Sequence, residues 1–323
     1  MKIYNKLIAL VAAFGLVGVS YAQDAAAGGN LTDNISIAGF VDASYAKTEV
    51  GATDTETIGV DEVEIDFLFG FGSVNSEVHL DSDGNGGNIG VEQAWVSYDV
   101  NPSLTVTVGK YGSALGLERE DPAGLYTYSR AYNNGGLNLG NVNANVVEGV
   151  AFSYTVSDDI SARVSFQDSQ GNNIDNDKMD VEISVSYTGV DNVNIGGGYI
   201  SANGADAAAT GDVVNVHATY TAGKALIGAE YVDADATGTA NDIDAWMILV
   251  DYDLSDKLGV ALRLTDEDAT GTAADADKFT IAPNYAITDD LGAILEYSDG
   301  EVGGTDNETL ALELTLTDRK SVV

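Results

Sequence analysis

The chain has 323 residues, with 51 acidic against 14 basic side chains, a formal charge of −37 and no cysteine. That charge excludes nucleic acid as a partner, because such binding rests on neutralising phosphates. The lack of cysteine excludes a disulfide framework and thiolate metal sites. Strong charge alone would permit disorder, but the apolar content is 45% and its alternation is regular.

The first residues read as a signal peptide, 1–22. Lys2 and Lys6 give a basic start, Leu7–Val19 is apolar, and Ser20-Tyr21-Ala22 is a small-x-small cleavage site, so the mature chain is expected to begin near Gln23. No later stretch approaches the ~20 unbroken apolar residues that a membrane helix needs. An exported chain of this kind that sits in a membrane must therefore be a closed barrel. Residues 23–323 contain no linker and are expected to form one domain.

From Ile35 onward, runs of alternating apolar and polar residues are separated by Gly/Asp/Asn breaks. Strict alternation marks a strand whose two faces meet different environments. Val181, Ile183, Val185 and Tyr187 alternate with Asp180, Glu182, Ser184 and Ser186, and Leu310, Leu312, Leu314 and Leu316 show the same period. About sixteen such runs start near residues 35, 61, 75, 90, 103, 147, 159, 179, 192, 213, 224, 242, 257, 278, 291 and 308. Short breaks such as Gly72–Ser76, Gly189–Asn192 and Ala222–Gly223 alternate with long ones such as Thr48–Val60, Asp81–Gly90, Ser169–Lys178 and Asp299–Asn307. Short turns alternating with long outer loops is the organisation of an outer-membrane barrel; a soluble sandwich has no reason to sort its loops this way.

Tyrosines repeat the pattern. Tyr98, Tyr154, Tyr187, Tyr220, Tyr252 and Tyr285 close the runs heading inward, and Tyr45, Tyr199, Tyr231 and Tyr297 close those heading outward. Threaded as a barrel they form two belts at the two membrane surfaces, where an apolar ring with a polar tip is favoured. The opposite face carries Asp42, Glu62, Glu64, Asp66, Glu77, His79, Arg163, Glu182, Arg263 and Glu313, groups that need water or partners. These are the expected lining of a water-filled pore. The fold expected is all-β: a transmembrane antiparallel β-barrel of about sixteen strands facing outer-membrane lipid.

The longest interruption, Gly109–Asn145, follows the fifth run and holds Glu118, Arg119, Glu120, Asp121 and Arg130. A loop of this length within a compact domain is functional or argues against the assignment. It is read as folding into the barrel mouth, with those charges at the constriction and Arg163 and Arg263 on the facing wall. Tyr126, Tyr128 and Tyr132 are read as packing of the folded loop rather than as a sugar-stacking surface. The bland alternative for the whole loop is a solvated excursion outside the cell.

The series Gln93-Ala-Trp-Val-Ser-Tyr98, Gly109-Lys110, Leu115-Gly-Leu-Glu118 and Tyr128-Ser-Arg130 resembles the Gram-negative outer-membrane porins, in particular the OmpL-like β-barrel porins. The resemblance implies a passive diffusion channel for ions and small hydrophilic solutes, a constriction loop after the fifth strand, and a homotrimer. The acidic excess adds an expected weak cation preference. The chain departs from such barrels at its end: Asp318–Val323 breaks the alternation, where an aromatic residue usually closes the last strand, and 318–323 reads as a non-native tail.

Asp81, Asp83, Asn85 and Glu92 fit the calcium-loop spacing, but strands rather than helices flank them and Asn88 stands where such loops have an apolar residue. A Gly/Asp hairpin tip is the preferred reading, with calcium at the outer loops as the alternative and no other cofactor expected. The rival functional classes are a barrel acting in adhesion or envelope tethering, for which the loops are modest, and a barrel hydrolase. No enzyme is expected, because His79 and His217 both fall on the polar face and neither neighbours a triad-like serine.

Overall fold

The computed structural model describes residues 29–82, 88–118, 122–132, 146–168, 179–201, 212–235, 242–270 and 274–317. The expected signal peptide and the 318–323 tail lie outside the described residues. Among the described residues there are seventeen strands. The first five are β1 (Gly29–Thr32), β2 (Ile35–Val50), β3 (Thr53–Phe71), β4 (Val74–Ser82) and β5 (Gly90–Asn101). They are followed by β6 (Leu104–Gly112), β7 (Val146–Ser157), β8 (Ile160–Asp168), β9 (Asp180–Val190), β10 (Val193–Ser201) and β11 (Val213–Ala222). The last are β12 (Ala225–Ala234), β13 (Ile243–Asp253), β14 (Leu258–Ala269), β15 (Ala276–Ala286), β16 (Leu291–Val302) and β17 (Thr305–Thr317).

Each strand from β2 to β17 pairs antiparallel with its sequence neighbour, and β17 pairs back onto β2 from Asn307↔Val50 to Thr317↔Phe40. This closes a sixteen-stranded barrel and leaves no long free edge, so the backbone ladder is satisfied within the wall. β1 pairs with the start of β2, Gly29 opposite Ile37, on the edge that β17 leaves uncovered.

Burial is inverted relative to a soluble protein. On β9, Glu182 is 0% exposed while its neighbour Ile183 is 46% exposed. Around the ring, Ser36, Asp42, Glu64, Asp66, Ser165, Asn215, Glu230, Thr280, Glu296 and Glu313 are buried, whereas Ile65, Val96, Val185, Val216, Ile248, Leu264 and Leu312 are exposed. Period-two alternation thus places polar groups inside and apolar groups on the lipid face.

Short turns are tight at one end. Asn192 takes φ 62 in the β9–β10 turn and Gly223 takes φ 65 in the β11–β12 turn, the left-handed geometry that Asn and Gly tolerate best. At that end Tyr98, Tyr154, Tyr187, Tyr220, Tyr252 and Tyr285 sit opposite Val74, Leu104, Ile160, Val193, Ala225 and Leu258, each the first residue of its paired strand. The tyrosine belt therefore has a fixed register, set by hairpin geometry.

Two of the expected long breaks are not loops. Thr48–Val60 is largely strand, with β2 and β3 joined at Gly51-Ala52, and Asp299–Asn307 is strand with a turn at Gly303-Gly304. The two hairpins pair with each other through β17 and β2, so their ladders continue beyond the apolar band. Both faces of Thr53–Val60 are exposed to solvent, which is why alternation fades there although the strand persists.

Candidate pore and the segment packed inside it

Residues 113–118 and 122–132, between β6 and β7, lie against the inner wall. They hold little regular structure, only a 3-10 turn at Pro122–Gly124, so their backbone groups need other partners. Wall side chains provide them. Glu182 on β9 accepts from Ser113 Oγ at 2.7 Å and from the Ala114 amide at 3.0 Å. Asn215 Oδ1 on β11 accepts from the Gly116 amide at 3.3 Å, and Glu230 Oε1 on β12 accepts from the Leu117 amide at 2.8 Å. Across the barrel, Glu296 Oε2 on β16 accepts from the Ser129 amide at 3.0 Å.

Cations hold the carbonyl side. Arg263 on β14 donates to Glu118 Oε1 at 2.6 Å, Thr127 Oγ1 at 2.7 Å, Ser129 Oγ at 3.0 Å and the Arg130 carbonyl at 2.9 Å. Lys278 on β15 donates to the same Arg130 carbonyl at 2.6 Å. Glu118 also accepts from the Ala131 amide at 2.7 Å, and its own carbonyl accepts from Arg130 at 3.0 Å. Planar, multiply donating Arg263 suits this role better than a point charge would.

Apolar contacts complete the docking. Leu117, Ala131 and Tyr132 join Val213, Val232, Ala245 and Met247 in one cluster, and Tyr126 packs on Leu249, Ala261 and Ala282. Gly198 and Gly228 make room for the segment's leucines: a Cβ would stand 2.6 Å from Leu115 at the first and 3.0 Å from Leu117 at the second. Burial pushes the Tyr126 hydroxyl well above its usual range, and the Asp251 and Asp253 carboxylates add to this. Burial likewise raises Tyr132, whose hydroxyl donates to Glu230 at 3.2 Å. Tyr128, half-buried, reaches Ser44 on β2. Beside the segment is a recess of about 180 Å³, lined by Ser129, Thr265, Glu267, Lys278, Ser298 and Thr309.

Of the charges expected at the constriction, Glu118 and Arg130 are in this network, while Arg119, Glu120 and Asp121 lie outside the described residues. Arg263 is on the wall facing the segment, its side chain is 0% exposed, and it binds Glu118 directly. The reason is that the guanidinium and the segment's acceptors, one carboxylate, two hydroxyls and the Arg130 carbonyl, satisfy one another. Arg163 on β8 donates to the Gly112 carbonyl at 3.0 Å and stacks on the Tyr111 ring. Asp42, Glu62, Glu64, Asp66, Glu77, His79, Glu182 and Glu313 all project inward in register, Asp42 opposite Glu62 and Asp66 opposite His79. Of the calcium-spaced set, Asp83 and Asn85 lie outside the described residues, while Asp81 lies near the end of β4 and Glu92 lies on β5.

Sequence reasoning missed Asn215, Glu230, Lys278 and Glu296 as anchors. The available signal is on β12 and β13. There Val232, Ala234, Ala245, Met247 and Leu249 make the inward face apolar as well, opposite outward Tyr231, Trp246, Ile248 and Val250. A barrel strand apolar on both faces needs something to cover its inner side.

A closed sixteen-strand barrel with lipid-compatible outer residues and a polar, acid-rich interior is an outer-membrane barrel of the porin type. The chain belongs to the family described as "Putative beta-barrel porin-2, OmpL-like", which matches residues 35–311. Among solved structures it is similar to the outer membrane channel DcaP of Acinetobacter baumannii, with 12% identity, a TM-score of 0.63, and coverage of 90% of this chain and 99% of that one. It is also similar to a mutant of Rh. blastica porin (16%, 0.60, 87% and 100%) and to outer-membrane expressed OmpT of Vibrio cholerae (18%, 0.59, 89% and 99%). No curated protein sequence matches it.

Proposed function

We propose that the chain is a passive diffusion channel of the outer membrane for ions and small hydrophilic solutes, weakly preferring cations and narrowed by the segment between β6 and β7. The observation that carries this reading is the inward polar face of the strands outside the apolar patch on β12 and β13, which Asp42, Glu64, Asp66, Glu182, Glu296 and Glu313 make predominantly acidic. Rings of acidic side chains favour cations. Arg263, the one arginine of β14, is occupied by Glu118 and adds no free positive field.

The reading of the β6–β7 segment as the constriction is supported by its reach, with hydrogen bonds to β9, β11, β12, β14, β15 and β16. A chain held at so many points around the ring narrows the lumen without needing to move. Assembly as a homotrimer is part of the same proposal and rests on the resemblance to trimeric porins. Swelling of proteoliposomes in sugars of increasing size tests the channel reading. Uptake of small sugars with a sharp size cut-off is expected, and vesicles indistinguishable from protein-free controls would overturn it.

A further inference from the structure

On the wall formed by β3, β4 and β5, away from the docked segment, four carboxylates surround one imidazole. His79 is 7% exposed and its neighbours Glu64 and Asp66 are 1% and 2% exposed. Nδ1 lies 2.9 Å from Glu64 Oε1, 3.3 Å from Asp66 Oδ1 and 4.0 Å from Glu92 Oε2. The other ring nitrogen, Nε2, is 2.9 Å from Glu77 Oε2. Asp81 stands in register opposite Glu64.

Two features of this cluster point to a metal ion. First, buried Nδ1 is in contact with two carboxylate oxygens at once, and neither meets the angular geometry of an N–H hydrogen bond. The two contact distances, 2.9 and 3.3 Å, match donor atoms sharing one ion, since metal–ligand bonds of about 2.0–2.1 Å set neighbouring donors about 2.9–3.4 Å apart. Second, Glu77 holds the far nitrogen. A carboxylate accepting from one ring N–H fixes the tautomer and turns the other nitrogen's lone pair toward the ion, as in carboxylate–histidine–zinc arrangements. A lone pair aimed at two carboxylate oxygens is repulsive unless a proton or a cation lies between them. Four carboxylates around a single imidazole also hold more negative charge than a proton on that ring offsets.

We propose that Glu64, Asp66 and His79 bind a divalent transition-metal ion of the Zn²⁺ class on the inner wall, with Glu77 orienting the imidazole and Glu92 within reach as a further oxygen donor. The imidazole nitrogen selects this class over Ca²⁺ and Mg²⁺, which take oxygen ligands.

The test is equilibrium dialysis of the EDTA-stripped, detergent-folded barrel against Zn²⁺, with folding of every variant checked by its heat-modifiable gel shift. One Zn²⁺ per chain is expected for the unaltered protein. Uptake is lost in His79→Gln and in the double variant Glu64→Gln/Asp66→Asn, and it weakens roughly 10–100-fold in Glu77→Gln. Excess Ca²⁺ does not displace the ion. No stoichiometric uptake, equal uptake by all variants, or displacement by equimolar Ca²⁺ would overturn the site. X-ray absorption of the Zn²⁺-loaded unaltered protein gives a readout independent of variant folding: one imidazole nitrogen in the first shell supports the assignment, and an all-oxygen shell contradicts it.

Discussion

Arg263 and Glu118 are 145 residues apart in sequence, yet Nη1 of one donates to Oε1 of the other at 2.6 Å, and both side chains are buried. One comes from a barrel strand and the other from the segment after β6, so this contact ties the inner loop to the wall. Removing one partner of a buried pair typically costs about 3–5 kcal/mol, because the other charge is left buried alone. Arg263→Met is therefore expected to undock the segment, raising open-channel current and exposing residues 113–132 to protease. The double variant Arg263→Met/Glu118→Met should recover much of the stability lost by the single one. A single variant with unchanged current and protease resistance would show that the pair does not hold the segment.

Packing makes a separate contribution. Leu117→Ala deletes a leucine from the cluster with Val232 and Met247, a change that costs about 2–5 kcal/mol in a well-packed core. Gly228→Val places a side chain where Leu117 now sits. Both are expected to increase conductance without affecting barrel assembly on gels.

How much of this was legible in the sequence differs by element. Alternation in Asp180–Tyr187 or Leu310–Leu316 was enough to place strands and lipid-facing residues, because lipid and water impose period two directly. It failed at Thr53–Val60, where water bathes both faces and only backbone pairing keeps the strand. The polar face showed which charges point inward, but not that Glu182, Glu230 and Glu296 would accept the segment's backbone amides, since those partners are 68, 113 and 167 residues away. The doubly apolar run Ala245–Val250 was the readable trace of that docking.

Tyr126 tests the electrostatics of the docked segment. Its hydroxyl is buried with no hydrogen-bond partner, so Tyr126→Phe should keep conductance and gain on the order of 1 kcal/mol in thermal stability. Burial raises the tyrosine's folded pKa above the unfolded value of about 10, so the docked state prefers the neutral phenol. The stabilisation is fully present below about pH 10 and is lost as pH climbs beyond it. Current should thus stay level to about pH 10 and increase above it, in step with tyrosinate absorbance. In Tyr126→Phe that increase should be smaller.

The lipid face is tested at Ile248, which points outward at mid-strand on β13. A lipid-facing Arg costs about 2–4 kcal/mol near the bilayer midplane. Ile248→Arg should reduce the folded, heat-modifiable band sharply while Ile248→Leu leaves it intact.

Single-channel recording in a planar bilayer under a salt gradient tests the central claim most directly. The account predicts stable open steps, a reversal potential on the cation-selective side, and larger steps when Leu117–Tyr128 is deleted. A folded, heat-modifiable barrel that passes no current would contradict it.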